Sequence, residues 1–112
     1  MAVIVYTSDP SALLVAIRSA IQGGKVATWS VDADGDFTHS PEQWKLKAWL
    51  RPKISDGRII FRILTPQKTQ MNKMTYAVYH GRFIEMLLAH FDLQFQNAVA
   101  TALPGEGDQV RG

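Results

Sequence analysis

The apolar residues of this chain change their repeat along its length, and that change limits the folds open to it. From Trp44 to Arg51 the pattern alternates: Trp44, Leu46, Ala48 and Leu50 fall on one side and Lys45, Lys47, Trp49 and Arg51 on the other. Arg58 to Leu64 repeats this, with Ile59, Phe61 and Ile63 opposed to Arg58, Ile60 and Arg62. A period of two is the mark of a half-buried strand. Elsewhere the period is helical: Leu13, Leu14, Ile17 and Ile21, and again Tyr76, Tyr79, Phe83, Leu87, Phe91, Phe95, Ala98 and Ala102. A chain with both periods must lay helices on a sheet.

The boundaries of these segments carry their own chemistry. Residues 2–7 are β-branched and aromatic and read as a buried strand. Asp9-Pro10 is a helix start, with the cap followed by proline at the first helical position, and Gly23-Gly24 is its stop. Residues 25–32 form a second strand, and Ala33-Asp34-Gly35-Asp36 turns the chain. The return strand starting at Phe37 is interrupted at Ser40-Pro41-Glu42-Gln43 by one helical turn or a bulge. Pro52 ends the next strand. Thr75 is the expected cap of a long helix ending near Leu103, with Gly81 inside it. The order is therefore β-α-β-β-β-α. It predicts an α+β, two-layer α/β sandwich with a mixed, mainly antiparallel sheet and both helices on one face. Residues 1–103 make a single domain, and 104–112, Gly-rich and charged, a flexible tail.

Composition removes several functions. The 112 residues contain no Cys, which excludes disulfides, thiol catalysis and Cys-based zinc sites. The apolar runs are too short for a membrane span, and the apolar start Met1–Tyr6 is too short for a signal peptide, so the expected setting is cytoplasmic with no membrane partner. No phosphate-binding Gly-Lys-Ser/Thr loop, dinucleotide glycine pattern, GxSxG elbow or His-Glu-x-x-His motif is present, and no cofactor is expected.

The net charge of +2 hides a strong asymmetry. Residues 45–82 hold Lys45, Lys47, Arg51, Lys53, Arg58, Arg62, Lys68, Lys73 and Arg82 against Asp56 alone, while both flanking segments are acidic. Alternation gathers Lys45, Lys47, Trp49, Arg51, Arg58 and Arg62 on the face away from the core. Such a set could neutralise phosphates and stack a base, meet a protein partner, or simply be solvated. It lacks the Lys/Arg-Gly-aromatic core of an RNA-recognition motif.

Two further groups hold chemistry-bearing side chains. Asp32, Asp34, Asp36 and His39 suggest an acidic or divalent-metal site, but the match to an EF-hand loop fails at Phe37, where glycine is needed, and at Gln43, where glutamate is. The plainer role is support of the turn. Tyr76, Tyr79, His80 and Arg82 could line a pocket. Their spacing fits no metal pair, and buried tyrosines with bonded hydroxyls are the plainer reading. The sequence thus points away from catalysis and toward a small interaction or adaptor module, meeting a protein partner or a second copy of itself. Nucleic-acid or other polyanion binding is the alternative, and a small enzyme or metal protein the third.

Overall fold

The structure, a computed structural model, describes residues 2–102 and 109–111. It is an α+β fold: a curled, chiefly antiparallel sheet with two helices. Strand β1 (Ala2–Tyr6) leads into α1 (Pro10–Gln22), followed by β2 (Trp29–Val31), β3 (Phe37–His39), β4 (Trp49–Ser55) and β5 (Arg58–Pro66). Helix α2 (Lys73–His90), a 3-10 turn (Asp92–Gln94), β6 (Asn97–Ala100) and β7 (Gln109–Arg111) complete the described chain. The sheet runs β2-β3-β4-β5-β1-β6, with β7 parallel to the end of β5.

The sequence signals at α1 act as expected. Asp9 Oδ1 accepts from the Ala12 amide at 3.1 Å, Pro10 occupies the first turn, and Gly24 takes φ +79° just past the end. Leu13, Leu14, Ile17 and Ile21 are all buried. They join one core with Val3 and Val5 of β1, Leu50 of β4, Ile59, Phe61 and Ile63 of β5, and Tyr79, Phe83, Met86 and Leu87 of α2. Strand β1 has the same sense as β2, because four antiparallel pairings separate them; they do not touch.

Several expected boundaries move. The segment read as one strand over residues 44–51 is a turn as far as Lys47, with Trp44 N and Lys45 N both donating to Pro41 O. Leu46, expected to face the core, is exposed at φ +60°. Pro52 does not end β4 but sits within it, opposite Phe61. Strand β3 pairs with β4 only at Phe37 and Leu50, so the outer side of β4 beyond that point has no ladder for a proline to interrupt. The second strand is limited to Trp29–Val31.

The largest correction concerns the last helix. Its cap is Asn72, whose Oδ1 accepts from Met74 N and Thr75 N, and not Thr75. It ends at His90, and residues 97–100, expected to be helical, form β6 on the free edge of β1. Backbone pairing along β1 outweighs the helical spacing of Phe91, Phe95 and Ala98, as tertiary context commonly does. The order becomes β-α-β-β-β-β-α-β-β. Most of the tail expected at 104–112 lies outside the described residues; within it, Gln109–Arg111 pairs with β5. No helix among the described residues is long and apolar enough to cross a membrane.

Candidate functional site

The acidic turn comes together, but as a closed structure. Asp32 Oδ1 accepts from the amides of Asp34 and Asp36, each at 3.0 Å, and Asp32 N donates to Asp36 O. Gly35 occupies φ +83°, where an added Cβ would lie 2.7 Å from Arg18 Nη2. Arg18 itself donates to Gly35 O at 3.2 Å and lies over the Phe37 ring. The chain thus needs glycine both for its turn and for the approach of that arginine. Carboxylate oxygens of Asp32, Asp34 and Asp36 all fall within 4.8 Å of one another.

Those three carboxylates have a cationic neighbour. Asp36 is fully buried, and Arg51 grips it with two bonds, Nε to Oδ1 at 2.9 Å and Nη2 to Oδ2 at 2.8 Å. This bidentate bond is the main reason the Arg51 guanidinium is held more firmly protonated than usual. Both oxygens of Asp36 already accept hydrogen bonds from Arg51, which is poor preparation for a cation. His39, grouped with these acids in the sequence, is not part of the cluster.

His39 instead closes the core. It is buried against Trp29, with ring centroids 4.7 Å apart, and its Nδ1 lies 2.8 Å from Thr28 O. A carbonyl can only accept, so Nδ1 carries the proton in the neutral ring. Burial holds the His39 pKa below its ordinary value, against the opposing hydrogen bond to Thr28. A shallow pocket of about 190 Å³ opens beside it, lined in part by Trp44, Arg82 and Glu85.

The group on α2 is largely structural. Tyr76 stacks on His80 at 3.9 Å between centroids, and its hydroxyl donates to Thr101 O. His80 Nδ1 lies 2.7 Å from Tyr76 O, one helical turn back. Tyr79 is fully buried, its hydroxyl donating to Trp44 O and lying 3.1 Å from Thr38 Oγ1. It ties α2 to β3 and to the turn before β4. Arg82 is exposed and paired with Glu85, an arrangement that contributes little to stability.

The basic set divides. Lys45 and Lys47 lie in the turn before β4 and not on the sheet. Trp49 opens β4 and is half-buried. Arg51 stands directly opposite Arg62, Lys53 opposite Ile60, and Ser55 opposite Arg58. On the far side of β5, Ile4 faces Ile60 and Tyr6 faces Arg58, and beyond them Val99 pairs with Ile4. One face therefore carries Arg51, Lys53, Arg58 and Arg62 among Tyr6, Ile4, Ile60 and Val99. Lys53 completes this row although the sequence reading stopped the strand at Pro52; the alternation of 49, 51 and 53 runs through the proline. Among the described residues, Lys53, Arg58 and Arg62 have no carboxylate partner. No protein-family model, curated protein or solved structure matches this chain.

Proposed function

We propose that this chain is a non-catalytic binding module that docks an acidic protein partner on the outer face of β4, β5, β1 and β6. The observation that carries this reading is the row Lys53, Arg58 and Arg62, without carboxylate partners among the described residues and interleaved with Ile4, Ile60, Tyr6 and Val99. Cations set among aliphatic and aromatic groups are what protein interfaces use: apolar area for affinity, charge for orientation and encounter rate. A purely solvated face would have less reason to keep isoleucine and valine at its centre. In this reading α1 and α2 together cover the opposite face as a second layer, which fits their shared core. The aromatic face of α2 is buried and not available for docking. The imidazoles of His39 and His80 each commit one nitrogen to a main-chain carbonyl, which fits a structural role better than acid–base work.

The test is retention on a polyglutamate matrix at low ionic strength. The wild-type chain should be held and should elute as salt screens the contact. The variant Lys53→Ala/Arg58→Ala/Arg62→Ala should pass through with its fold intact by circular dichroism. Equal retention of the two proteins would remove this face as the working surface. Stronger, sequence-tolerant retention on single-stranded DNA through the same three residues would replace the protein partner by a nucleic acid. A monomer at all concentrations in sedimentation would exclude a second copy as the partner.

A further inference from the structure

The opposite end of β5 holds a second feature, independent of the sheet face. A pocket of about 340 Å³ lies between the turn before β4, the end of β5 and the start of α2. Its wall includes Leu46, Lys47, Thr65, Gln70, Met71 and Thr75. Thr65 and Thr75 are only 7% and 8% exposed, and neither hydroxyl has a hydrogen-bond partner among the described residues. Neither hydroxyl oxygen is among the fully buried atoms without a partner, so each keeps access to the pocket and is free to bond what enters it. Thr75 has a clear reason for its state. It is the third residue of α2, so the carbonyl four residues back, the usual partner of a helical threonine, lies before the helix. Two hydroxyls from different elements are thus left facing the same small space.

The charge around this space has one sign. Lys47 lines it, and Lys45, Lys68 and Lys73 are immediate chain neighbours of lining residues. No Asp or Glu occurs at 43–55 or 57–84. The start of the 18-residue helix α2 adds the positive end of its dipole, although Asn72 already accepts from two of its free amides. Hydroxyls alone would suit a neutral polyol as well as an anion. The lysines decide for the anion, and Leu46 and Met71 supply an apolar wall for an attached organic body. The volume is that of a small-molecule site, at the lower end of the usual range.

We infer that this pocket binds a small phosphate monoester, its oxyanion held by Lys47 and the hydroxyls of Thr65 and Thr75 and its organic part against Leu46 and Met71. The probe is phenyl phosphate, followed by amide chemical shifts of the full chain, with benzyl alcohol and benzoate as companions. Saturable shifts should centre on Lys47, Thr65 and residues 69–75. In Thr65→Val/Thr75→Val, which keeps side-chain volume, affinity should fall roughly tenfold or more, as expected for lost hydrogen bonds to a charged group. Lys47→Gln, at an exposed position with little bearing on folding, should weaken binding similarly and serves if the double variant does not fold. Lys53→Ala/Arg58→Ala/Arg62→Ala should bind phenyl phosphate as wild type does, so failure here and failure of the sheet-face reading are separable. No shift at millimolar phenyl phosphate, shifts unchanged in Lys47→Gln, or equal binding of benzyl alcohol or benzoate would each overturn the proposal.

Discussion

Arg51 and Arg62 sit directly opposite each other across β4 and β5, yet they belong to different regions of the molecule. Arg51 is drawn into the acidic turn, where it holds a carboxylate that water does not reach. Arg62 has no such partner among the described residues and stands with Lys53 and Arg58 on the sheet. The same side chain, one strand apart, serves internal order in one place and an outward field in the other. Proximity of opposite charge in the sequence does not decide which; the turn geometry that buries Asp36 does.

The sharpest way to break this comparison is to truncate both arginines. Arg51→Ala leaves a buried carboxylate without its main partner and should destabilise the fold by about 2–3 kcal/mol, discounted because the arginine is itself partly exposed. Arg62→Ala should stay within about 0.5 kcal/mol, as for most surface changes. Urea midpoints of the two variants check the pair, and equal losses would show that the two sites are not different in kind. Next in size is Tyr79→Phe, which takes the donor from Trp44 O beneath the turn that carries Lys45 and Lys47. A loss of about 1–2 kcal/mol is expected from a buried acceptor left unsatisfied. An unchanged melting temperature would mean that this turn does not depend on α2.

The smallest effect concerns pH. His39 has a folded pKa below its ordinary 6.5, with burial as the first cause. The unfolded chain therefore takes up a proton more readily than the folded one, and stability should fall as pH drops through about 6.5, levelling once the folded ring is also protonated. His39→Gln should flatten this part of the pH–stability curve. A curve of the same slope in the variant would show that His39 is not the source of the acid sensitivity.

Much of the fold is legible in the sequence where local chemistry decides it. Asp9-Pro10 and Gly23-Gly24 bracket α1, Asp34-Gly35 makes its turn, and the alternation of Arg58 to Leu64 places β5 and its two faces. The break after His90 is not legible. No glycine or proline marks it, and the apolar spacing continues past it; what ends the helix is the free backbone of β1, some ninety residues away in sequence. The candidate sites divide in the same way. Arg58 and Arg62 follow from periodicity, and Lys53 is missed only because Pro52 resembles a strand end. Thr65 and Thr75 carry no motif at all. Their meaning comes from a loop that returns the chain on itself, and from the hydrogen bonds their hydroxyls lack.

The interior position of β1 has a consequence for synthesis. Its ladder partners begin at Arg58 and Asn97, so a growing chain exposes Val3-Ile4-Val5 long before either exists. At about 5–20 residues per second, that wait lasts several seconds. Helix α1 can form meanwhile, but the sheet cannot close around β1 until nearly all the described chain has left the ribosome. A nascent chain with residues up to about 90 outside the ribosome would have β5 in hand and still lack the strand that shields the other edge of β1, which leaves that edge open to mispairing with a neighbour.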